Sequence, residues 1–270
     1  MPTFVAGAVQ MAADADLEAN LDRARALVQR AASRGAVLVA LPEVFAWRGA
    51  RDQESAAART IPGPVSEFLC ALAAELRIVL VGGSFLEQAP GLSKSYNTSL
   101  LIDADGIIRG TYRKIHLFDV DLPGEVSVRE SDTRISGTEV IVATTPLGTI
   151  GLSICYDLRF PELYRQLAAA GATIVAVPSA FTFYTGAAHW EPLLRARAIE
   201  NQSYVIAPNQ TGRSPSGFAD YGNSMIVDPW GTVLARAGAG EQVITAEIDT
   251  EHLARLRREM PCQSHIRLRG

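Results

Sequence analysis

Cysteine is scarce in this chain of 270 residues, with 3, at positions 70, 155 and 262. An odd, widely spaced set supports neither a disulfide framework nor a CxxC metal knuckle. Unpaired thiols fit a reducing compartment, so a cytoplasmic location is expected. Positive charge is not in excess either. Lys and Arg number 25 against 29 Asp and Glu, a net charge of −4, which runs against the basic footprint of a nucleic-acid surface. The basic cluster Arg255–Arg258 alternates with apolar residues at helical spacing and reads as a solvated helix face. No apolar run approaches the roughly 18–20 residues that span a bilayer. The opening MPTFVAGAVQM lacks the basic segment of a secretory signal, so none is expected. HExxH and carboxylate clusters are also missing, and neither a metal nor a cofactor is expected.

What the chain does have is a core. It is 48% hydrophobic and 20% charged, well outside disordered composition. Phe4–Met11 reads as a buried strand. Leu17, Leu21, Ala24, Val28 and Ala31 recur at helical spacing up to Gly35, and Ala36–Leu41 is a second strand ending at Pro42-Glu43. Val65–Leu76 is a helix and Arg77–Phe85 a strand. Tyr96–Asp103 and Ile107–Arg113 form a hairpin about Ala104-Asp105-Gly106. His116–Thr138 is polar and reads as a long functional loop. Glu139–Thr145 and Thr149–Ile154 make another hairpin. A helix over Pro161–Ala170, a strand over Thr173–Val177, a helix over His189–Asn201 and a strand over Tyr204–Pro208 follow. Met225–Ala235 contains a turn at Asp228–Gly231; Val243–Ile248 is the last strand and Thr250–Arg258 the last helix. Mixed connections predict mixed sheets, and two of them covered outside by helices give a four-layer α-β-β-α sandwich. Without repeats, linkers or breaks in composition, residues 1–270 read as one domain.

The stretch Gly151–Glu162, GLSICYDLRFPE, reads as strand, sharp turn and helix, with Cys155 at the bend and Pro161 opening the helix. A thiol there is either an exposed nucleophile beside outward-pointing N–H groups or a buried cysteine ending a core strand. Glu43 and Lys114 also follow strands, so the three can converge at one sheet edge. A free thiol, with a pKa of about 8.5, is only slightly ionised at neutral pH. A carboxylate can take its proton, and an ammonium can offset the resulting charge and donate to an oxyanion. Glu43 alone raises the thiol's pKa, and Lys114 is expected to restore the balance. His116 offers a His–Cys alternative. Phe181, Thr182 and Phe183 follow a strand and are candidate pocket walls, while Trp47 and Arg48 are candidates for its rim.

LPEVF (Leu41–Phe45), YRKIHLFD (Tyr112–Asp119) and GLSICYDLRFPELYR (Gly151–Arg165) resemble the three signature segments of the nitrilase superfamily of carbon–nitrogen hydrolases. AVQM, Phe181–Val205 and Tyr221–Val233 extend the resemblance over nearly the whole chain. It implies the α-β-β-α fold and a triad of Glu43 as general base and acid, Lys114 as electrostatic stabiliser and Cys155 as nucleophile. A second glutamate is implied at Glu130, with Glu125 the other candidate, and Tyr156 is implied to supply its N–H to the oxyanion hole. KIHLFDVDLPG, CYDLRFPE and TGAAHWEPLLRARAIENQ most resemble the Nit-type branch, which acts on ω-amides of 2-oxo acids and on deaminated glutathione. A small anionic amide is therefore the expected partner, with Arg159 the candidate for its carboxylate unless Asp157 or Glu162 claims that guanidinium. N-carbamoyl compounds, aliphatic amides or nitriles are the alternative substrates, and a silent scaffold the alternative of another class. Asn223 departs from the branch, where His is common. The helix from Pro161 resembles the family's dimer-forming helix, implying a homodimer.

Overall fold

A computed structural model describes residues 3–214 and 217–268. The first half contributes β1 (Thr3–Gln10), α1 (Leu17–Ser33), β2 (Ala36–Ala40), α2 (Glu54–Ala57), α3 (Pro64–Leu76), β3 (Val79–Val81), β4 (Phe85–Gln88), β5 (Ser95–Ile102) and β6 (Ile108–Arg113). Asp16 caps α1 by accepting the Ala19 N–H at 3.1 Å, and Pro64 opens α3 where its missing N–H costs nothing. Three short strands follow: β7 (Asp119–Leu122), β8 (Val126–Arg129) and β9 (Arg134–Ile135). Next come β10 (Val142–Thr145), β11 (Gly148–Leu152), α4 (Pro161–Ala169), β12 (Ile174–Ala176), α5 (Phe183–Asn201) and β13 (Tyr204–Ala207). The chain closes with β14 (Thr211–Arg213), β15 (Ala219–Tyr221), β16 (Met225–Val227), β17 (Val233–Arg236), β18 (Gln242–Asp249) and α6 (Thr250–Glu259).

Two mixed sheets result. One runs β18-β1-β2-β3-β5-β4, with β6 and β9 also bonded to β5; the other runs β10-β11-β12-β13-β16-β17. Strand alternation explains how they stack. Phe4, Ala6 and Ala8 of β1, with Leu38 and Ala40 of β2, join a core that includes Ile150, Leu152 and Ile206 of the second sheet. Val9 and Val39, on the opposite face, pack with Leu21, Ala24 and Val28 of α1 and Leu69 and Leu72 of α3. Strands buried on both faces read as continuous apolar runs, as these do. Leu163 and Leu167 of α4 and Trp190 and Leu194 of α5 belong to the core of the second sheet. The order helix, sheet, sheet, helix is the expected sandwich.

Several boundaries differ from expectation. Arg77–Phe85 is not one strand. Gly83 has φ +56, and a Cβ there would stand 2.2 Å from the Pro42 carbonyl oxygen, so the chain breaks where it passes under the loop carrying Glu43. His116–Thr138 is not an irregular loop, because β7 and β8 pair as a hairpin across Pro123-Gly124. The fifth helix begins at Phe183, six residues before His189, because Gly186 lets it lie against Tyr221. Arg257 does not belong to a solvated face. Its guanidinium donates to the Gln202 and Ala172 carbonyls, at 2.8 Å to each, and fastens α6 to the second sheet. No described helix is long and apolar enough to cross a membrane.

Candidate active site

Glu43, Lys114 and Cys155 meet at one edge of the two sheets, each just beyond a strand. The loop after β2 is held between the sheets, with the Glu43 N–H on the Ser179 carbonyl at 3.4 Å and the Val44 N–H on Ser84 Oγ at 3.0 Å. Lys114 leaves β6 with its N–H on the Asn97 carbonyl at 2.8 Å. Cys155 follows β11, donates its N–H to the Pro178 carbonyl at 2.9 Å and opens a 3-10 turn to Arg159. Its φ of 48 is left-handed, which swings the side chain out of the strand direction.

A line of alternating charges runs behind the thiol. Lys114 Nζ donates to Glu43 Oε1 at 2.8 Å and to Glu130 Oε2 at 2.9 Å. Glu130 Oε2 also accepts the Phe118 N–H at 2.8 Å, and its Oε1 accepts from Arg134 at 2.6 Å. Arg134 in turn reaches both oxygens of Glu54, at 2.8 and 3.1 Å. Of the two candidates, Glu130 contacts Lys114, while Glu125 is exposed in the β7–β8 turn. Burial alone would discharge these groups, but their partners outweigh it. Burial lowers the Lys114 pKa, and Glu130 and Glu43 more than restore it, leaving it raised. Burial raises that of Glu130, and Lys114 and Arg134 bring it down to about 2.

The thiol behaves otherwise than the sequence reading expects. Burial, then Glu43, push the Cys155 pKa well above its ordinary value, and Lys114 offsets only part of this. The reason is the charge count. Lys114 and Arg134 face three carboxylates, Glu43, Glu130 and Glu54, so no positive excess is left for a thiolate. The surroundings of Cys155 therefore favour its protonated form.

Cys155 is 7% exposed and opens on a pocket of ≈ 930 Å³, its mouth included. Tyr156, Arg159, Phe181 and Thr182 line it, as do Trp47 and Arg48. The Arg159 guanidinium lies 5.2 Å from the Phe181 ring centroid and 5.8 Å from that of Tyr156. Its polar contact is His189 Nδ1 at 3.2 Å. Asp157 is taken up elsewhere and Glu162 does not reach it, so Arg159 has no carboxylate partner among the described residues. Arg48, by contrast, is spent on Asp220, at 2.6 and 3.1 Å. Phe183 is 56% exposed, packs edge-on to Tyr221 and does not line the pocket. His116 stacks on Phe160 at 3.7 Å and holds Asp157 at 2.7 Å, away from the thiol. Sequence reasoning missed Asn97, Arg134, Glu54 and Asp220. Only the pairing of distant segments brings them in.

Fold and comparison together define an enzyme that hydrolyses carbon–nitrogen bonds other than peptide bonds. The chain belongs to the carbon–nitrogen hydrolase family, whose sequence profile matches residues 5–258. It is 41% identical over 268 residues to a deaminated glutathione amidase of Synechocystis sp., covering 98% of each chain. It is 42% identical over 248 residues to an omega-amidase of Xenopus tropicalis, covering 92% of this chain and 89% of that one. Among solved structures, Saccharomyces cerevisiae Nit3, of branch 10 of the nitrilase superfamily, superposes with a TM-score of 0.87 at 36% identity, covering 96% and 95%.

Proposed function

We propose that the chain, as one domain, is a thiol-dependent amidase acting on a small anionic amide. The carrying observation is Cys155 on the pocket floor beside Glu43, whose Oε1 is held by Lys114 at 2.8 Å. On this reading Glu43 takes the thiol proton as the sulfur attacks the amide carbonyl carbon. The C–S bond forms, and the carbonyl π pair moves to oxygen. Lys114 and the Tyr156 N–H, in the first turn where helical N–H groups lack an intrahelical acceptor, receive that oxyanion. Glu43 returns the proton to the leaving nitrogen as the C–N bond breaks, leaving a thioester and ammonia or an amine. Water, deprotonated by the same carboxylate, attacks the thioester, and the thiol regains its proton. Glu130 keeps Lys114 in place.

Arg159 is the substrate's carboxylate partner on this reading, because it is the pocket cation between two aromatic rings without an acid of its own. Phe181 and Thr182 form the wall beside it. With the two amidases named above, this favours ω-amides of 2-oxo acids and deaminated glutathione. A cytoplasmic homodimer goes with the proposal; Phe183, Tyr184 and Trp230, exposed by 56, 54 and 60%, offer apolar surface for a second copy. The test is release of ammonia or amine from a 2-oxo acid ω-amide, deaminated glutathione and an N-carbamoyl amino acid. Turnover of either of the first two, lost in Cys155→Ala, is the expected result. Turnover of the carbamoyl compound alone overturns the substrate assignment, and turnover that survives in Cys155→Ala overturns the chemistry.

A further inference from the structure

Glu43 is asked to exchange a proton with a thiol, then with a nitrogen, then with water, which requires one of its oxygens to stay available. Oε1 is fully engaged. It accepts from Lys114 Nζ at 2.8 Å and from Asn97 Nδ2, also at 2.8 Å. Oε2 accepts the Ala180 N–H at 2.9 Å, and that same N–H lies against the Cys155 sulfur. Oε2 is therefore the oxygen on the thiol's side.

Asn97 is fully buried on β5, and its main-chain carbonyl takes the Lys114 N–H at 2.8 Å. One residue thus bonds the Glu43 carboxylate through its side chain and the main chain of Lys114 through its carbonyl. Its own Oδ1 has no partner among the described residues, nor do the hydroxyls of Ser95 and Ser99, two positions away on the same strand face. Turning the amide over would set Oδ1 against the carboxylate, acceptor to acceptor, so its orientation follows from the chemistry of its neighbour.

We propose that Asn97 is a positioning residue that commits Glu43 Oε2 to proton exchange with Cys155. The proposal rests on the amidase reading for its chemistry. Without the Nδ2 donor, Oε1 keeps only Lys114, and the carboxylate is held by that contact and the Ala180 N–H on Oε2, free to rotate about the line between them. The charged and titratable groups facing Glu43 are Lys114 from β6, Cys155 from its turn, Glu130 and Arg134 behind Lys114, and Asp220 across the pocket.

The experiment compares Asn97→Ala and the isosteric Asn97→Asp with the parent, alone and in a Glu43→Gln background. The expected kcat loss is about 100-fold in either single variant with KM within about twofold, the size that misplacing a reacting group produces. Iodoacetamide alkylation of Cys155 needs no turnover and is followed by peptide mass, which separates it from Cys70 and the exposed Cys262. In Asn97→Ala its rate shifts toward that of Glu43→Gln, and Asn97→Ala changes nothing further in the Glu43→Gln background. An alkylation effect of equal size in both backgrounds overturns the proposal, as does a kcat loss that merely follows the folded fraction. Because the alkylation arm is independent of substrate, absence of turnover in the parent overturns the amidase reading without deciding the role of Asn97.

Discussion

Asp157 Oδ2 accepts the Tyr112 hydroxyl at 2.7 Å, joining the strand that ends at Lys114 to the turn that begins at Cys155. The same carboxylate takes the Ile154 N–H at 2.8 Å, the His116 N–H at 3.0 Å and His116 Nδ1 at 2.7 Å. The Tyr112 hydroxyl and the two main-chain N–H groups donate, and His116 Nδ1 donates as the Nδ1–H tautomer, so an acceptor at every position satisfies them. Asp157→Asn sets an NH₂ group against two of them. The expected cost is about 3 kcal/mol in stability, read as the denaturant midpoint, with reduced turnover in the fraction that folds. An unchanged midpoint removes Asp157 as the brace.

Glu43→Gln separates thiolate population from proton transfer. Glu43 raises the Cys155 pKa after burial does, so removing its charge favours the thiolate that Lys114 already attracts. Alkylation of Cys155 at neutral pH becomes faster in Glu43→Gln, while amide turnover falls by about 100-fold or more, the contribution of a positioned acid–base. Slower alkylation in the variant contradicts the assignment of Glu43 as the like charge on the thiol.

The Glu130 pair carries a pH signature. Its pKa falls from the ordinary 4.5 to about 2 in the folded protein. A depressed acid contributes stability that is complete above the unfolded value and is lost as pH falls through the folded one. Stability therefore declines from about pH 4.5 toward pH 2 as this carboxylate is protonated. Glu130→Gln is less stable at neutral pH and flatter across that window, which unfolding midpoints measured at several pH values will show. An equally steep decline in the variant assigns the acid sensitivity elsewhere.

Arg159→Ala tests charge recognition. With no carboxylate partner among the described residues, this guanidinium is the one proposed to meet an anionic substrate. KM for a 2-oxo acid ω-amide is expected to rise about 10- to 100-fold, the equivalent of one charge-assisted hydrogen bond. A neutral amide of the same length should show no such rise. A parallel loss for both amides leaves Arg159 as a packing residue.

The meeting of Glu43, Lys114 and Cys155 is legible because each lies just after a strand, where a polar side chain can emerge at the sheet edge. The layers were legible for the same reason, from alternation in β1 and unbroken apolar runs in β2. Partners across the fold were not. Arg134 meets Glu54 and Asn97 meets Glu43 only because α2, β5 and β9 come together in space, and no local pattern marks them. The hairpin β7–β8 escaped notice since its four-residue strands are polar, although Pro123-Gly124 signals the turn. The sequence places Glu43 and Lys114 near Cys155, but not the balance of charge around the thiol. That balance depends on Glu130 and Glu54 being buried beside the same two cations.

Cys155 and Val44 both hold left-handed backbone, each with φ 48, next to or at the residues read as base and nucleophile. An L-residue there costs roughly 1–2 kcal/mol over its relaxed form, and a β-branched valine is especially ill suited. Glycine suits such a conformation better, so Cys155→Gly is expected to melt later than Cys155→Ala while both are inert. A lineage freed from turnover would drift toward the cheaper residue at position 155. The side chain that persists at this bend is therefore itself a record of whether catalysis is still being selected.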